Sequence, residues 1–340
     1  MKLLRLMVCV INGFFLPSFL VAQDYTFSQF YEMPLLRNPA ISGLFNGDLR
    51  LQSSYRTQWS SFTTPFQTMA LSAEVKTGVG TGDNYFTTSL LMANDVAGDS
   101  RLSRLQMMPA VNYLVSFNEG SGYLAMGFMG GMIQSSFDPS RLYFDDQFQN
   151  GAYNPSNPTS QLFTKTNETH FDMGAGFSVS DEVAYGTQVY VGAALYHLNK
   201  PKMVFSSLEE KLKRRFVLNL GASMELSDND KFIMYGDYIT QAGNRQGLLG
   251  LMFSHSFGQY IEDDKYGISF GTFYRWADAV IPVIKLELRQ VTLGLSYDSN
   301  VSKLSQASYT RGAFELTASF KSFLNIKNSA VDKVKCTISL

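Results

Sequence analysis

"AFELTASFK", residues 313–321, decides the fold. Phe314, Leu316, Ala318 and Phe320 share one face of an extended chain. Ala313, Glu315, Thr317, Ser319 and Lys321 share the other, because successive strand side chains point to opposite faces. The same alternation recurs upstream. "FDMGAGFS" (171–178) sets Phe, Met, Ala and Phe against Asp, Gly, Gly and Ser. Phe216, Leu218, Leu220, Ala222 and Met224 alternate with Val217, Asn219, Gly221, Ser223 and Glu225, and Val291, Leu293, Leu295 and Tyr297 with Thr292, Gly294, Ser296 and Asp298. Each segment has one greasy side and one polar side.

About fourteen such segments can be traced, a number read from this periodicity. They span 48–57, 66–76, 85–94, 104–117, 122–134, 169–178, 186–196, 215–226, 231–240, 246–257, 266–276, 280–288, 291–298 and 312–321. Many are close to the length at which a tilted strand crosses a bilayer. Residues 209–215 (EEKLKRR) are the best helical fragment and read as a charged loop turn.

A soluble sandwich or propeller alternates too. Three features favour a transmembrane antiparallel β-barrel. The strands are long and numerous. Their polar faces carry Gly, Ser, Thr, Asn and scattered charges, as a watery lumen does. The connections alternate in length: 135–168, 197–214 and 299–311 are long, whereas 118–121, 227–230 and 289–290 are short. Outer-membrane barrels have short periplasmic turns and long outer loops; only 258–265 (GQYIEDDK) is long for its side. An even count lets the first and last strands pair, which leaves no open edge in lipid.

Residues 1–22 read as a secretory signal peptide: Lys2 and Arg5 give a positive start, residues 6–21 an apolar core, and Ala22 a small residue at the cut. Cys9 leaves with it, so Cys336 stands alone and no disulfide framework is expected. No later window approaches a membrane-spanning helix. Net charge is −1 with no basic stripe, which argues against nucleic acid. The expected organisation is a leader (1–22), an N-terminal segment (23–47), a barrel (48–323) and a periplasmic tail (324–340).

The N-terminal segment opens with "QDYTFSQFYEMPLLRNPAISG" (23–43), neither a good helix nor a good strand. Asn38 suits a helix cap and Pro39 the first helical position, so a helical turn is expected there. Phe27, Phe30 and Tyr31 argue for order, since disordered tails are poor in aromatics. The reading is a compact segment that begins on the periplasmic side and partly plugs the barrel mouth.

These residues also carry a family likeness. Phe27-Ser28-Gln29-Phe30-Tyr31, Pro34-Leu35 and Asn38-Pro39-Ala40-Ile41-Ser42-Gly43 resemble the start of the PorP/SprF family. Tyr55-Arg56-Thr57-Gln58-Trp59 followed by Pro65-Phe66, then His197-Leu198-Asn199-Lys200-Pro201, Gly271-Thr272-Phe273-Tyr274-Arg275 and the run from Leu293 through Tyr297, Asp298, Asn300 and Ser302 to Leu304 resemble its later elements, in order. The family often ends in Cys-Pro and an aromatic residue, whereas this chain ends Cys336-Thr337-Ile338-Ser339-Leu340. The resemblance implies an outer-membrane component of type IX protein secretion in Bacteroidetes, linked to secretion or gliding motility and not an enzyme. It implies periplasmic secretion-ring lipoproteins, peptidoglycan-associated proteins and secreted surface proteins or adhesins as partners, with outer-membrane lipid around the barrel. The rival reading is a diffusion channel or hydrophobic-substrate transporter.

Within this topology Arg56, sharing a face with Arg50 and Gln52, is expected in the lumen and Trp59 in an interfacial girdle. Tyr274, Arg275 and Trp276 mix the two roles. His170, His197 and His255 lack metal-ligand spacing. Ser254-His255-Ser256 reads as strand filler, and Gly78–Gly82 as a hairpin turn without the lysine of a phosphate loop. Asp145-Asp146 and Asp263-Asp264 read as solvated loop charge. Neither metal nor cofactor is expected.

Overall fold

The computed structural model describes residues 24–58, 64–80, 82–149, 151–154, 156–161, 163, 165–203, 210–257, 266–302 and 311–324. The leader, Trp59, 258–265 and the tail with Cys336 lie outside them. Fourteen long strands form the wall: β1 Leu49–Gln58, β2 Phe66–Val79, β3 Asn84–Ala97, β4 Leu102–Phe117, β5 Gly122–Ser136, β6 Asn167–Ala184, β7 Thr187–Tyr196, β8 Arg215–Glu225, β9 Asp230–Gln241, β10 Asn244–Phe257, β11 Tyr266–Arg275, β12 Ala279–Leu288, β13 Val291–Asn300 and β14 Arg311–Ser322. Each pairs antiparallel with its chain neighbours, and β1 closes on β14 from Leu49 opposite Ser322 to Gln58 opposite Ala313. Closure gives every strand a partner on both sides, which is what hydrocarbon demands of a backbone with no water to bond.

Every expected strand is present. The main difference is length. β6 runs to Ala184, beyond the expected 178, because Ser180, Asp181 and Glu182 still pair with Tyr190, Val189 and Gln188. Backbone pairing continues past the apolar band, where alternation fades although hydrogen bonding does not. Two-residue ladders, Phe148–Gln149 with Ala152–Tyr153 and Lys202–Met203 with Glu210–Lys211, lie in the long connections and take no part in the wall. No helix among the described residues is long and apolar enough to cross a membrane.

The barrel is turned inside out relative to a soluble core. Leu51, Met69, Leu71, Phe128, Leu251, Phe253, Phe314 and Leu316 face outward and are exposed. Arg50 and Glu74 face the lumen and are 0% exposed, with Gln52, Arg56, Lys76, Asp237 and Glu315 also buried. Water would reverse that arrangement, whereas lipid tails solvate the greasy face at no cost. The longest connections gather at one mouth, here the long-loop mouth. Strand β1 starts and β14 ends at the opposite, short-turn mouth.

A cation on the outward face is therefore expected to be costly. Leu251→Arg, near the middle of β10, should lower stability by about 2–4 kcal/mol in urea unfolding from phospholipid vesicles. An unchanged midpoint would mean that this face does not meet lipid.

Candidate functional site

The lumen holds the chain's own N-terminal segment. Three short helical turns, Phe30–Glu32, Pro34–Arg37 and Pro39–Ile41, string along it. Prolines at the first helical positions suit such turns, having no N–H to leave unsatisfied. Asn38 caps the third, its side chain accepting from Ala40 N at 2.8 Å. The direction of the segment corrects the sequence reading. It does not begin at the short-turn mouth. Asp24 sits at the long-loop mouth, bonded to Arg104 and to His197, while its N–H donates to Gln241 Oε1 at 3.1 Å. From there the chain descends the whole lumen to Asp48, whose N–H meets Ser322 O at 2.9 Å at the short-turn mouth. It reaches the inner faces of strands all the way round.

Buried ion pairs anchor each level. Near the top, Ser28 is the hub. Its N–H and that of Gln29 donate to the two Glu315 carboxylate oxygens at 2.7 Å each. Its hydroxyl donates to Asp298 Oδ1 at 2.5 Å and accepts from Arg56 and Arg275. Arg56 pairs with Asp298 at 2.8 Å and Glu315 at 3.2 Å, and Arg275 with Asp298 at 3.0 Å. The Gln29 side chain meets Ser296 and Thr317. One level down, Lys285 pairs with Glu32 at 2.6 Å. Across the lumen, Arg37 grips Asp237 through two nitrogens at 2.8 and 2.6 Å and the Tyr190 hydroxyl at 2.8 Å. At the bottom, Arg50 holds Glu74 at 2.8 Å, Glu74 accepts the Gly43 N–H at 2.8 Å, and Lys76 Nζ donates to Phe45 O at 2.6 Å. A buried charge is tolerated when paired and hydrogen-bonded, and each of these is.

Apolar and small residues fill the rest. Tyr31 stacks against both Tyr235 (4.7 Å) and Phe273 (5.2 Å), which lie 6.2 Å from each other, and Phe30 meets Phe273 edge-on at 5.8 Å. Phe27 packs with Met33, Ala70 and Ala93. The Asn-Pro-Ala turn presses directly on the wall: a Cβ at Gly127 would collide with the Pro39 backbone, and one at Gly176 with the Asn38 amide. The Ala40 carbonyl accepts from Asn112 and Ser178, each at 2.9 Å, and Asn38 Nδ2 donates to Phe177 O at 3.0 Å. Gly43 turns the chain with φ +83°, a conformation glycine adopts freely.

The singled-out residues thus divide into three sets. Phe27, Ser28, Gln29, Asn38, Pro39, Ala40 and Gly43 form the plug, and Arg56, Arg275 and Asp298 grip it, with the Gln58 amide beside the Arg56 guanidinium. A second set is peripheral. Tyr274 and Tyr297 face outward and exposed. Asn199 ties its loop to Phe171 O at 2.6 Å, Pro201 O accepts from Leu212 N at 2.9 Å, and Ser302 N reaches Asp278 O at 3.2 Å. Asn300 is buried at the end of β13. Of the other two, His197 meets the plug at Asp24, and Trp59 lies outside the described residues. Sequence reasoning missed Glu315, Glu74, Asp237 and Lys285 as plug anchors. The available signal was a charge on a lumenal face otherwise built of small and hydroxyl residues, as at Glu315. Among the described residues no group of three His, Cys, Asp or Glu side chains could hold a metal.

His197 closes the top of the plug. Its ring nitrogens meet Asp172 Oδ2 at 2.8 Å and Asp24 Oδ2 at 2.7 Å. Burial opposes its charged form, yet the two carboxylates outweigh that and hold its pKa up at about 9. Burial likewise works to raise Asp24, but Arg104 and His197 keep it well below the usual carboxylate range. A histidine with a raised folded pKa stabilises fully below its ordinary value of 6.5 and loses that contribution as pH climbs through about 9. The difference in melting temperature between the wild-type protein and His197→Gln should therefore be largest near pH 6 and shrink steadily between pH 6 and 10. A difference constant over that range would show that the imidazolium does not secure the plug.

Comparison with known proteins agrees with this architecture. The family model described as type IX secretion system membrane protein PorP/SprF matches residues 20–320. No curated protein matches the chain by sequence. Among solved structures, a Pseudomonas aeruginosa FadL homologue is similar with a TM-score of 0.50 at 8% identity, over 84% of this chain and 98% of that one. The Pseudomonas putida toluene transporter TodX gives 0.48 at 8% identity, over 88% and 95%. At such identities the likeness is one of fold, an outer-membrane barrel. With a family match over most of its length, the chain belongs to the PorP/SprF family of type IX secretion system membrane proteins.

Proposed function

We propose that this barrel works in type IX secretion as a membrane-embedded dock, and not as a solute channel. The observation that carries the reading is the plug. Its charges are neutralised by partners from the wall, Arg37 by Asp237 and Glu32 by Lys285, and its Ser28 and Gln29 amides donate to Glu315. Withdrawing it would take Arg37 from Asp237 and strip Glu315 and Glu74 of the Ser28, Gln29 and Gly43 amides, leaving those two only their wall partners Arg56 and Arg50, a cost for each buried group that loses a partner. A lumen so filled leaves the two mouths as working surfaces. The long connections are suited to hold a secreted surface protein or adhesin. The short-turn mouth is suited to meet periplasmic ring lipoproteins and peptidoglycan-associated proteins.

In this reading residues 1–22 are removed on export, 23–47 form the plug, 48–323 the wall, and 324–340 a periplasmic tail. The protein resides in the outer membrane of a Bacteroidetes-like cell, serves secretion or gliding motility, and carries no catalytic centre. The rival, a diffusion channel or transporter of hydrophobic substrates, needs the plug to leave or rearrange.

Two measurements separate them. The purified protein in planar bilayers should be electrically silent, and capture from solubilised outer membranes should bring down one exported surface protein by mass spectrometry. Removing 140–160 from the β5–β6 connection should lose that protein without lowering the melting temperature. A stable large conductance from the unmodified protein, with no protein captured, would favour transport.

A further inference from the structure

Five arginines are buried among the described residues: Arg37, Arg50, Arg56, Arg215 and Arg275. Four are paired with a carboxylate. Arg215, only 5% exposed, is the exception. It donates a single hydrogen bond, from Nη1 to Leu36 O at 3.3 Å, and lies 5.4 Å from the Tyr196 ring. No carboxylate among the described residues lies within ion-pair range of it. Asp24, the plug carboxylate near it, is already committed to Arg104 and His197. Its remaining donors are turned to open space, where an anion can complete them as carboxylates complete the other four.

Arg215 does not look onto solid protein. It lines a cavity of about 210 Å³ at the long-loop mouth, floored by Asp24 and Thr26 of the plug. Arg275 and Asp278, paired with each other at 2.9 Å, line it too, Arg245 on the rim adds a cation without an ion pair among the described residues, and Trp276, 71% exposed, stands at the edge beside Tyr274. Gln241 and Gln246 supply amides on the wall. The connection entering β8 carries Lys211, Lys213 and Arg214 beside Glu210. Guanidinium binds carboxylate through two parallel hydrogen bonds.

We propose that this vestibule is a binding site for a carboxylate of an acidic peptide segment, with Arg215 as its principal ligand and Arg245 as its outer one. Arg215 opens the inward-facing series of β8 with Val217 and Asn219, so lipid headgroups around the barrel are not opposite it. A peptide descending into the mouth is. The inference deepens the docking reading and rests on it: an acidic stretch of the exported protein would seat on top of the plug, touching the segment that ties the wall together.

The test uses the full mature protein in detergent, with capped hexaglutamate as probe and capped hexaglutamine as control, read by calorimetry and by emission of Trp276 in a Trp59→Phe background. Hexaglutamate should bind and hexaglutamine should not. Arg215→Gln should weaken binding about tenfold or more, and Arg245→Gln less, with melting temperatures showing that each variant is folded. Should Arg215→Gln fail to fold, Arg215→Lys serves: it keeps the charge, loses the bidentate geometry, and should bind several-fold more weakly. Equal affinity for both peptides, or hexaglutamate binding untouched by either Arg215 variant, overturns the site. If the exported protein is still captured in that case, docking stands and only the vestibule is refuted; if capture by the unmodified protein also fails, docking falls with it.

Discussion

A closed strand array in lipid turns its greasy side outward, and something must then fill and neutralise its inside. In this protein the chain supplies the filling. The wall carboxylates Glu315, Asp237 and Glu74 each meet a donor from residues 28–43, and for Asp237 that donor, Arg37, is its ion-pair partner. The plug is equally dependent on the wall, because Arg37 and Glu32 are buried charges of its own. Neither half satisfies its polar groups alone. Wall and plug are best regarded as one folding unit, in which barrel closure brings together groups more than two hundred residues apart in sequence.

That dependence explains why the family-like motifs are spread along the chain. Ser28 and Gln29 come from the plug, Arg56 from the first strand, Arg275 from the eleventh and Asp298 from the thirteenth. They read as unrelated short elements until closure sets them around one hydroxyl. The same holds for Asn38, whose neighbours on the wall are the glycine gaps at 176 and 192.

How much could be read beforehand follows from the same physics. Strand positions were legible because lipid imposes a strict two-residue period on the outward face; in AFELTASFK that face is uninterrupted. Strand ends were less so, since β6 goes on pairing where no lipid enforces the pattern. The helix-start chemistry of Asn38-Pro39 was visible and local. The direction of the plug was not. It depends on Asp24 finding Arg104 and His197 at the far mouth, which no local signal encodes. Nor could ion-pair partners be assigned: Glu315 was visible as a charge on the lumenal face, but which amides and which arginine it meets depends on register around the closed ring.

If the plug is part of the fold and not a removable stopper, its backbone must be as protected as the wall. Hydrogen–deuterium exchange of the detergent-solubilised protein measures this directly, by comparing the amides of Ser28, Gln29 and Gly43 with those of β14. The account predicts that they exchange together, through the same global opening. Exchange of the plug amides far faster than the strand, with the barrel intact, would contradict it.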